Sequence, residues 1–324
     1  MLDDSAYPIA FAAKNNDETV RAASMSGGVF SELARDILNR GGVVYGCALT
    51  ETFRAMHIRI NSIDEIDRLR GSKYIQSDLT NIWTLLAKDI ESGIPVLFSG
   101  TPCQVAAVRA YVSFKLLSDD NLICVDLVCH GVPSPIVWAD YLKCMEQRFD
   151  GSVESVVFRD KYRFGWASCH ETVFIDGVPH SAETFKDLYF AHQVVRLSCF
   201  CCPYKSTKRV GDVSIADFWG IDDVIPGFND NRGVSLVLIN SIKGDGIFAR
   251  IRPRLDARKV SIEKCLQPSL VTNFPEPKNR AKFWRDFQMH DLEWLVRHYA
   301  NKPLWRRMGS KIKRRIKNRG GSKC

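Results

Sequence analysis

The residues best suited to chemistry are four cysteines in three short segments. Cys199-Phe200-Cys201-Cys202-Pro203 is a CxxCP pair, and Cys103 and Cys129 stand in Ser99-Gly100-Thr101-Pro102-Cys103-Gln104 and Val128-Cys129-His130-Gly131. A CxxC spacing lets two thiolates bind one metal centre, and a following proline recurs in ferredoxin-type ligation. Cys103 and Cys129 each follow a short apolar run and precede a helix-like stretch, so both read as loop-tip residues at strand ends. Four thiolates drawn from separate turns are what an iron–sulfur cluster needs. A redox dithiol and a zinc site with four cysteine ligands are the competing readings. Ribbon-type zinc sites use two CxxC pairs, and this chain has one. Cys201 is an alternative to Cys202, but the spacing favours Cys202. Cys47, Cys124, Cys144, Cys169 and Cys265 fall in apolar or helical patterns and read as core.

Two further segments suit an anion or a cofactor. Ser24-Met25-Ser26-Gly27-Gly28-Val29 precedes a helix, where small residues leave backbone N–H groups free for an anion. Gly71-Ser72-Lys73-Tyr74-Ile75-Gln76-Ser77 combines a glycine, a cation and hydroxyls, which suits a phosphate, a flavin ring or simply an exposed loop. Neither is a GxGxxG fingerprint, so a nicotinamide site of that kind is unsupported. His130 reads as a proton donor, as a support for the Cys129 loop, or as a satisfied loop histidine.

The elements that must position these residues alternate. Ser31 to Arg40 carries Leu33, Ala34, Ile37 and Leu38 at helical spacing and ends at Gly41-Gly42, ahead of a strand from Val43 to Leu49. Short helices are expected over 63–69 and 79–91, then a strand over 94–98 and a helix over 104–111. A strand over 122–128 leads to the Cys129 loop and a helix over 135–147. Residues 153–158 and 169–175, with an Asp176-Gly177 turn, predict a β-hairpin insert. A helix over 185–195 leads into the CxxCP pair, and strands follow over 213–216 and 234–239. The pattern predicts an α/β fold: a mostly parallel sheet with flanking helices, the hairpin insert and a C-terminal helical extension. The expected division is 1–264 and 265–324. In the extension, Phe283, Phe287, Leu292, Leu295, Val296 and Tyr299 form one helical stripe. Leu304, Met308, Ile312 and Ile316 then recur among basic residues, predicting an amphipathic basic helix.

Bulk numbers narrow the classes. A chain of 324 residues with 45% hydrophobic and 25% charged residues is an ordinary globular composition, which excludes wholesale disorder. No apolar run approaches the ~18 residues of a membrane span. The acidic Met1-Leu2-Asp3-Asp4 start lacks an apolar signal segment, so a reducing cytoplasmic setting is expected, in which eleven cysteines read as core, ligands or redox groups. From Arg297 onward there are eleven Lys/Arg and no Asp/Glu; removing them from the net charge of +8 leaves the rest at −3. That sign argues against nucleic-acid binding by the body. The basic tail suggests peripheral contact with an anionic membrane surface, a solvated helix or a dock for an acidic partner.

The chain resembles the coenzyme F420 hydrogenase/dehydrogenase beta-subunit family. The likeness rests on Ser26-Gly27-Gly28, Gly71-Ser72-Lys73-Tyr74, Gly100-Thr101-Pro102-Cys103-Gln104, Cys129-His130-Gly131-Val132-Pro133-Ser134, Cys199-x-x-Cys202-Pro203 and Gly211-Asp212-Val213-Ser214-Ile215-Ala216-Asp217-Phe218-Trp219-Gly220, in family order. It implies an oxidoreductase with FAD beside a [4Fe–4S] cluster, passing electrons between one-electron carriers and a two-electron acceptor of F420-like or other type. By the same resemblance Cys103, Cys129, Cys199 and Cys202 become cluster ligands. Ser26, Gly27, Gly28, Gly71, Ser72, Lys73, Tyr74, Gln76 and Thr101 become flavin contacts, with Asp217 and Trp219 closing the site and His130 catalytic. Many members carry an N-terminal ferredoxin-like domain, whereas here no cysteine precedes Cys47, so an external ferredoxin or partner subunit is the expected donor. The alternative is a non-enzymatic scaffold with a structural zinc site, linked to surface-polysaccharide synthesis.

Overall fold

A computed structural model describes residues 7–181 and 184–300 of the chain. The basic helix expected after Pro303 and the acidic start lie outside the described residues.

Among the described residues, eleven strands form two sheets. They are β1 (Ile9–Asn15), β2 (Val43–Leu49), β3 (Ala55–Ile60), β4 (Val96–Gly100), β5 (Leu122–Leu127), β6 (Val153–Val157), β7 (Thr172–Ile175), β8 (Val178–His180), β9 (Val213–Asp217), β10 (Ser235–Ile239) and β11 (Leu255–Val260). The large sheet runs β11-β1-β10-β9-β5-β4-β2-β3. Its centre, β2-β4-β5-β9, is parallel, as the alternation of helix and strand requires. Both flanks are antiparallel.

Parallel strands buried on both faces must be apolar throughout, and alternate residues then feed two cores. Val44, Leu97, Ile123 and Val125 join Val29, Leu33, Ile37 and Phe248 on one face. Val43, Val96, Phe98, Leu122 and Cys124 join Leu86, Val105 and Val108 on the other. Helices Val29–Asn39 and Ile242–Ile251 cover the first face; Trp83–Glu91 and Pro102–Phe114 cover the second. Pro102 opens its helix at a position where a missing N–H costs nothing, and the Thr101 N–H donates to Gln104 Oε1 at 2.9 Å.

The insert is a three-stranded antiparallel sheet, β6-β7-β8. Asp176 (φ 49) and Gly177 (φ 75) make the two-residue turn between β7 and β8, a conformation that Asp-Gly adopts readily. Helix Pro135–Phe149 packs Trp138, Tyr141 and Met145 against this sheet and against Phe185 and Leu188.

Three expectations change. The 283–299 stripe is two helices, Arg280–Asp286 and Leu292–Tyr299, because Asp291 caps the second by accepting from the Trp294 N–H. The helix before the CxxCP pair is Thr184–Phe190 and stops short of residue 195. His192 (φ 59) takes the left-handed position at its end that glycine usually fills. The sequence pattern gives no strand at β1, β3, β8 or β11. β1 is rich in alanine, which carries little strand signal, and the outermost β11 (LDARKV) is polar, as edge strands are.

Candidate functional site

A cleft of about 300 Å³ opens at the carboxyl ends of the parallel strands. Gly100 of β4 lies opposite Asp126 of β5, so Cys103, which stands in the first turn of helix Pro102–Phe114 and not on the expected loop, and the loop carrying Cys129 leave the sheet side by side. The carboxyl edge of a parallel sheet is where open α/β folds hold ligands.

The cysteine loops converge by backbone bonding. Ser134 N–H donates to Val194 O (2.9 Å) and Arg196 N–H to Val132 O (3.0 Å), which docks the approach to the CxxCP pair along the residues after Cys129. Gly131 (φ +142) permits this approach: a Cβ there would stand 2.9 Å from Val195 Cγ1 and 3.5 Å from the Cys199 Cβ. Lys205 Nζ donates to Cys129 O at 2.5 Å and to Ser269 O at 2.9 Å, tying the segment after the pair to the same loop. Arg209, also after the pair, completes the frame. Its guanidinium donates to Asp126 Oδ1 (2.8 Å), Leu127 O (3.2 Å) and Tyr204 O (2.9 Å).

The four thiols are electrostatic neighbours. Burial pushes the Cys129 thiol up to about 12, the Gly131 N–H and Lys205 oppose this, and Cys199 and Cys103 add to it. Cys199 is also raised, first by burial, against a hydrogen bond from the Val132 backbone, with Cys103 and Cys202 contributing. Amide donors on sulfur are the kind of contact that tunes a thiolate cluster. Among the described residues, no three or more His, Cys, Asp or Glu side chains gather in positions that could hold a metal ion as they stand. In a cubane cluster each thiolate binds a different iron, so its sulfurs stand farther apart than around a single ion. The donor set, four cysteines with backbone N–H groups and one lysine beside them, fits that kind of group in its chemistry.

The cleft beside these loops is lined by Ser26, Gly28, Gly71, Ser72, Lys73, Tyr74, Thr101, Cys129, His130 and Asp217. Gly27, Gln76, Trp219, Cys103, Cys199 and Cys202 do not line it. Gly27 instead packs on the sheet: its N–H donates to Ser235 Oγ (3.0 Å) and its carbonyl accepts from Asn15 N–H (2.7 Å). Gly28 (φ 85) then starts helix Val29–Asn39, whose first turn faces the cleft. Trp219 is 40% exposed and stacks on Trp166 with ring centroids 5.1 Å apart. The Asp217 carboxylate is taken up by Arg159 and by the Trp166 Nε1–H (2.8 Å), so it locks the insert to β9.

Cys47, whose apolar surroundings in the sequence predict a core position, instead lines the cleft. It shares the floor with Ser77 and Gln104, both in motifs named above, and with His57, which no motif contains. His57 Nε2 donates to Ser99 O (3.0 Å), leaving Nδ1 to accept from the Ser77 hydroxyl (2.6 Å). Ser77 Oγ accepts from Gln104 Nε2 (3.1 Å). Burial pushes His57 down to about 4, so it is neutral. His130 is likewise held down to about 4 by burial, then by His192 and Lys205. Its Nε2 pairs with His192 Nε2 (2.9 Å) and its Nδ1 with Ser269 Oγ (3.3 Å). No local signal marks His57: its neighbours on the same face of β3 are Ala55 and Arg59, and its partners Ser77 and Ser99 lie on other segments.

Family models cover most of this frame. The coenzyme F420 hydrogenase/dehydrogenase beta subunit N-terminal model matches residues 10–83 and its C-terminal model matches residues 95–263. The chain belongs to the coenzyme F420 hydrogenase/dehydrogenase beta-subunit family. Membership makes this beta-subunit-family chain an oxidoreductase. Its fold is similar to a chain of the F420-reducing [NiFe] hydrogenase complex from Methanosarcina barkeri, with a TM-score of 0.56, 16% identity, and coverage of 88% of this chain and 94% of that one. No curated protein matches the sequence. Among the described residues no helix is long and apolar enough to cross a membrane.

Proposed function

We propose that this family member is an iron–sulfur flavoprotein that passes electrons from a one-electron donor, through a [4Fe–4S] cluster and FAD, to a small two-electron acceptor. What supports the reading most is that Cys103 and Cys129 follow neighbouring strand ends while the approach to the Cys199–Cys202 pair is hydrogen-bonded to the residues after Cys129, beside a cleft lined by Ser26, Gly28 and the Gly71–Tyr74 segment. When bound, the cluster would supply single electrons and the flavin would pair them for delivery as a hydride equivalent.

The chain's own residues would hold these groups. Cys103, Cys129, Cys199 and Cys202 are the proposed ligands, with the Gly131 and Val132 amides donating to sulfur and Lys205 placing a positive charge beside a cluster that carries negative thiolates. Ser26 and Gly28, at the start of helix Val29–Asn39, would orient an anionic cofactor through backbone N–H groups and Ser72 through its hydroxyl, the Ser26 hydroxyl being donated to Val234 O (2.9 Å). Arg70, held by Ser31 Oγ at 2.9 Å, adds a cation on the same wall. The apolar walls of the cleft exclude water from the transfer step. Neutral His130 braces the Cys129 loop through His192 and Ser269.

A neighbour that is a chain of a hydrogenase complex supports a separate donor, either a ferredoxin-like protein or a partner subunit. Peripheral membrane contact through the basic tail remains part of the proposal, with residues outside those described. Anaerobic purification followed by iron, sulfide and flavin analysis tests the reading. Stoichiometric FAD with equal iron and sulfide supports it; a colourless protein with zinc refutes it.

A further inference from the structure

Delivering two electrons as a hydride equivalent also consumes a proton, and one-electron carriers bring none. Some group of the cleft must supply it. The ionisable side chains that line the cleft are Cys47, His57, Arg70, Lys73, Tyr74, Cys129, His130, Tyr189 and Asp217.

Most of these are already committed. Asp217 is taken up by Arg159 and Trp166. The Tyr189 hydroxyl donates to Gly131 O (3.0 Å), and burial holds its proton tightly. Both nitrogens of His57 and of His130 have partners, His57 being bound by Ser99 and Ser77. Arg70 does not release a proton and is paired with Asp67. Cys129 is a proposed ligand, and burial pushes the Cys47 thiol and Tyr74 upward.

Lys73 is different. It follows Gly71 (φ +79), whose turn has open space around it, and its Nζ donates to Arg70 O (2.6 Å) and Arg68 O (3.3 Å). Those two bonds use two of the three ammonium hydrogens of a side chain that lines the cleft. The charged and titratable groups acting on it are Cys47, on β2, and His57, on β3. Burial brings the ammonium down to about 8, with Cys47 opposing, which is near the range where a general acid works best.

We propose that Lys73 is the proton donor of the cleft, in addition to any contact it makes with a cofactor. In the step, two electrons arrive one at a time from the external reduced iron–sulfur donor. One Nζ–H bond of Lys73 breaks, its proton joins the electron pair, and a neutral amine is left. Solvent at the cleft mouth then reprotonates the amine. This inference rests on the flavoprotein reading above.

The test uses the full chain purified anaerobically, with Lys73→Arg and Lys73→Met variants. Bleaching of the flavin absorption by titanium(III) citrate, a one-electron reductant, is followed by stopped flow from pH 6 to pH 10. The wild-type rate should be level at low pH and fall above about 8. Both variants should lose that limb and slow by about a hundredfold, the low end for an acid catalyst. Lys73→Arg keeps the positive charge, so a role in binding alone would leave its rate and pH profile intact, and that result overturns the proposal. A second measurement needs no variant and no cofactor. Competitive acetylation across pH, read by mass spectrometry, should give Lys73 an apparent pKa near 8, and the value of an ordinary exposed lysine would overturn the proposal. Absence of flavin from the wild-type protein would instead remove the flavoprotein reading itself.

Discussion

The Asp126–Arg209 pair offers a direct test of how the cysteine loops are held. Both side chains are buried, at 0% and 2% exposure, and they join the end of β5 to the segment that follows Cys202. Asp126 Oδ2 also accepts from Gly211 N–H (2.9 Å), and Arg209 also donates to Ser214 Oγ (3.1 Å). Removing one partner of such a pair strands a charge in low dielectric and costs about 3–5 kcal/mol. At about 2 °C per kcal/mol for a chain of this size, Asp126→Leu or Arg209→Met should lower Tm by roughly 6–10 °C. Removing both should cost less than the sum of the singles, because no lone charge is left, with a coupling of about 2 kcal/mol or more. The assay is thermal unfolding followed by circular dichroism, with the iron-to-protein ratio measured on the same samples. Iron retention should fall in the single variants, since the segment after the CxxCP pair is no longer tied to the Cys129 strand. A Tm change below about 2 °C in Asp126→Leu, or strictly additive losses in the double variant, would refute the reasoning.

Two further outcomes follow from local geometry. Burial raises Glu171 from 4.5 to about 7, so the folded state keeps a proton that the unfolded state has lost over that window, and stability should fall as pH rises from about 4.5 through 7. The loss is about 3 kcal/mol at 1.36 kcal/mol per unit, and Glu171→Gln should flatten that slope in urea unfolding; an unchanged slope contradicts the burial account. In Gly27→Ala the new Cβ would stand 2.1 Å from Ala13 O and 2.7 Å from Ser235 N, both backbone atoms of strands that cannot retreat. The expected cost is about 3 kcal/mol or more, read by chemical denaturation, and a stability within about 0.5 kcal/mol of wild type would show that the segment does not pack as described.

Much of the scaffold was legible because its signals are local. The run Val43–Leu49 is a strand, Val29–Asn39 is amphipathic and stops before a glycine pair, and Asp176-Gly177 is a turn whose chemistry names its geometry. Edge elements were not legible: β1 is held by pairing with β10 and β11, across more than two hundred residues of sequence, and its alanines say little alone. The cysteine loops could be placed at strand ends from spacing, yet the clamp that joins them could not. Arg209 and Asp126 are 83 residues apart, and nothing in either segment marks them as a pair. The Ser77 hub was hidden for the same reason. His57, Gln104 and Cys47 reach it from three elements, and each looks like an ordinary strand or helix residue where it stands.

The measurement that bears most directly on the central claim is the low-temperature electron paramagnetic resonance spectrum of the reduced, anaerobically purified protein, taken together with Cys199→Ser, Cys202→Ser and Cys201→Ser. The account predicts a reduced-cluster signal in the wild-type protein and in Cys201→Ser, and its loss in the other two. A signal that survives both Cys199→Ser and Cys202→Ser, or no signal in a wild-type protein that retains its flavin, would contradict it.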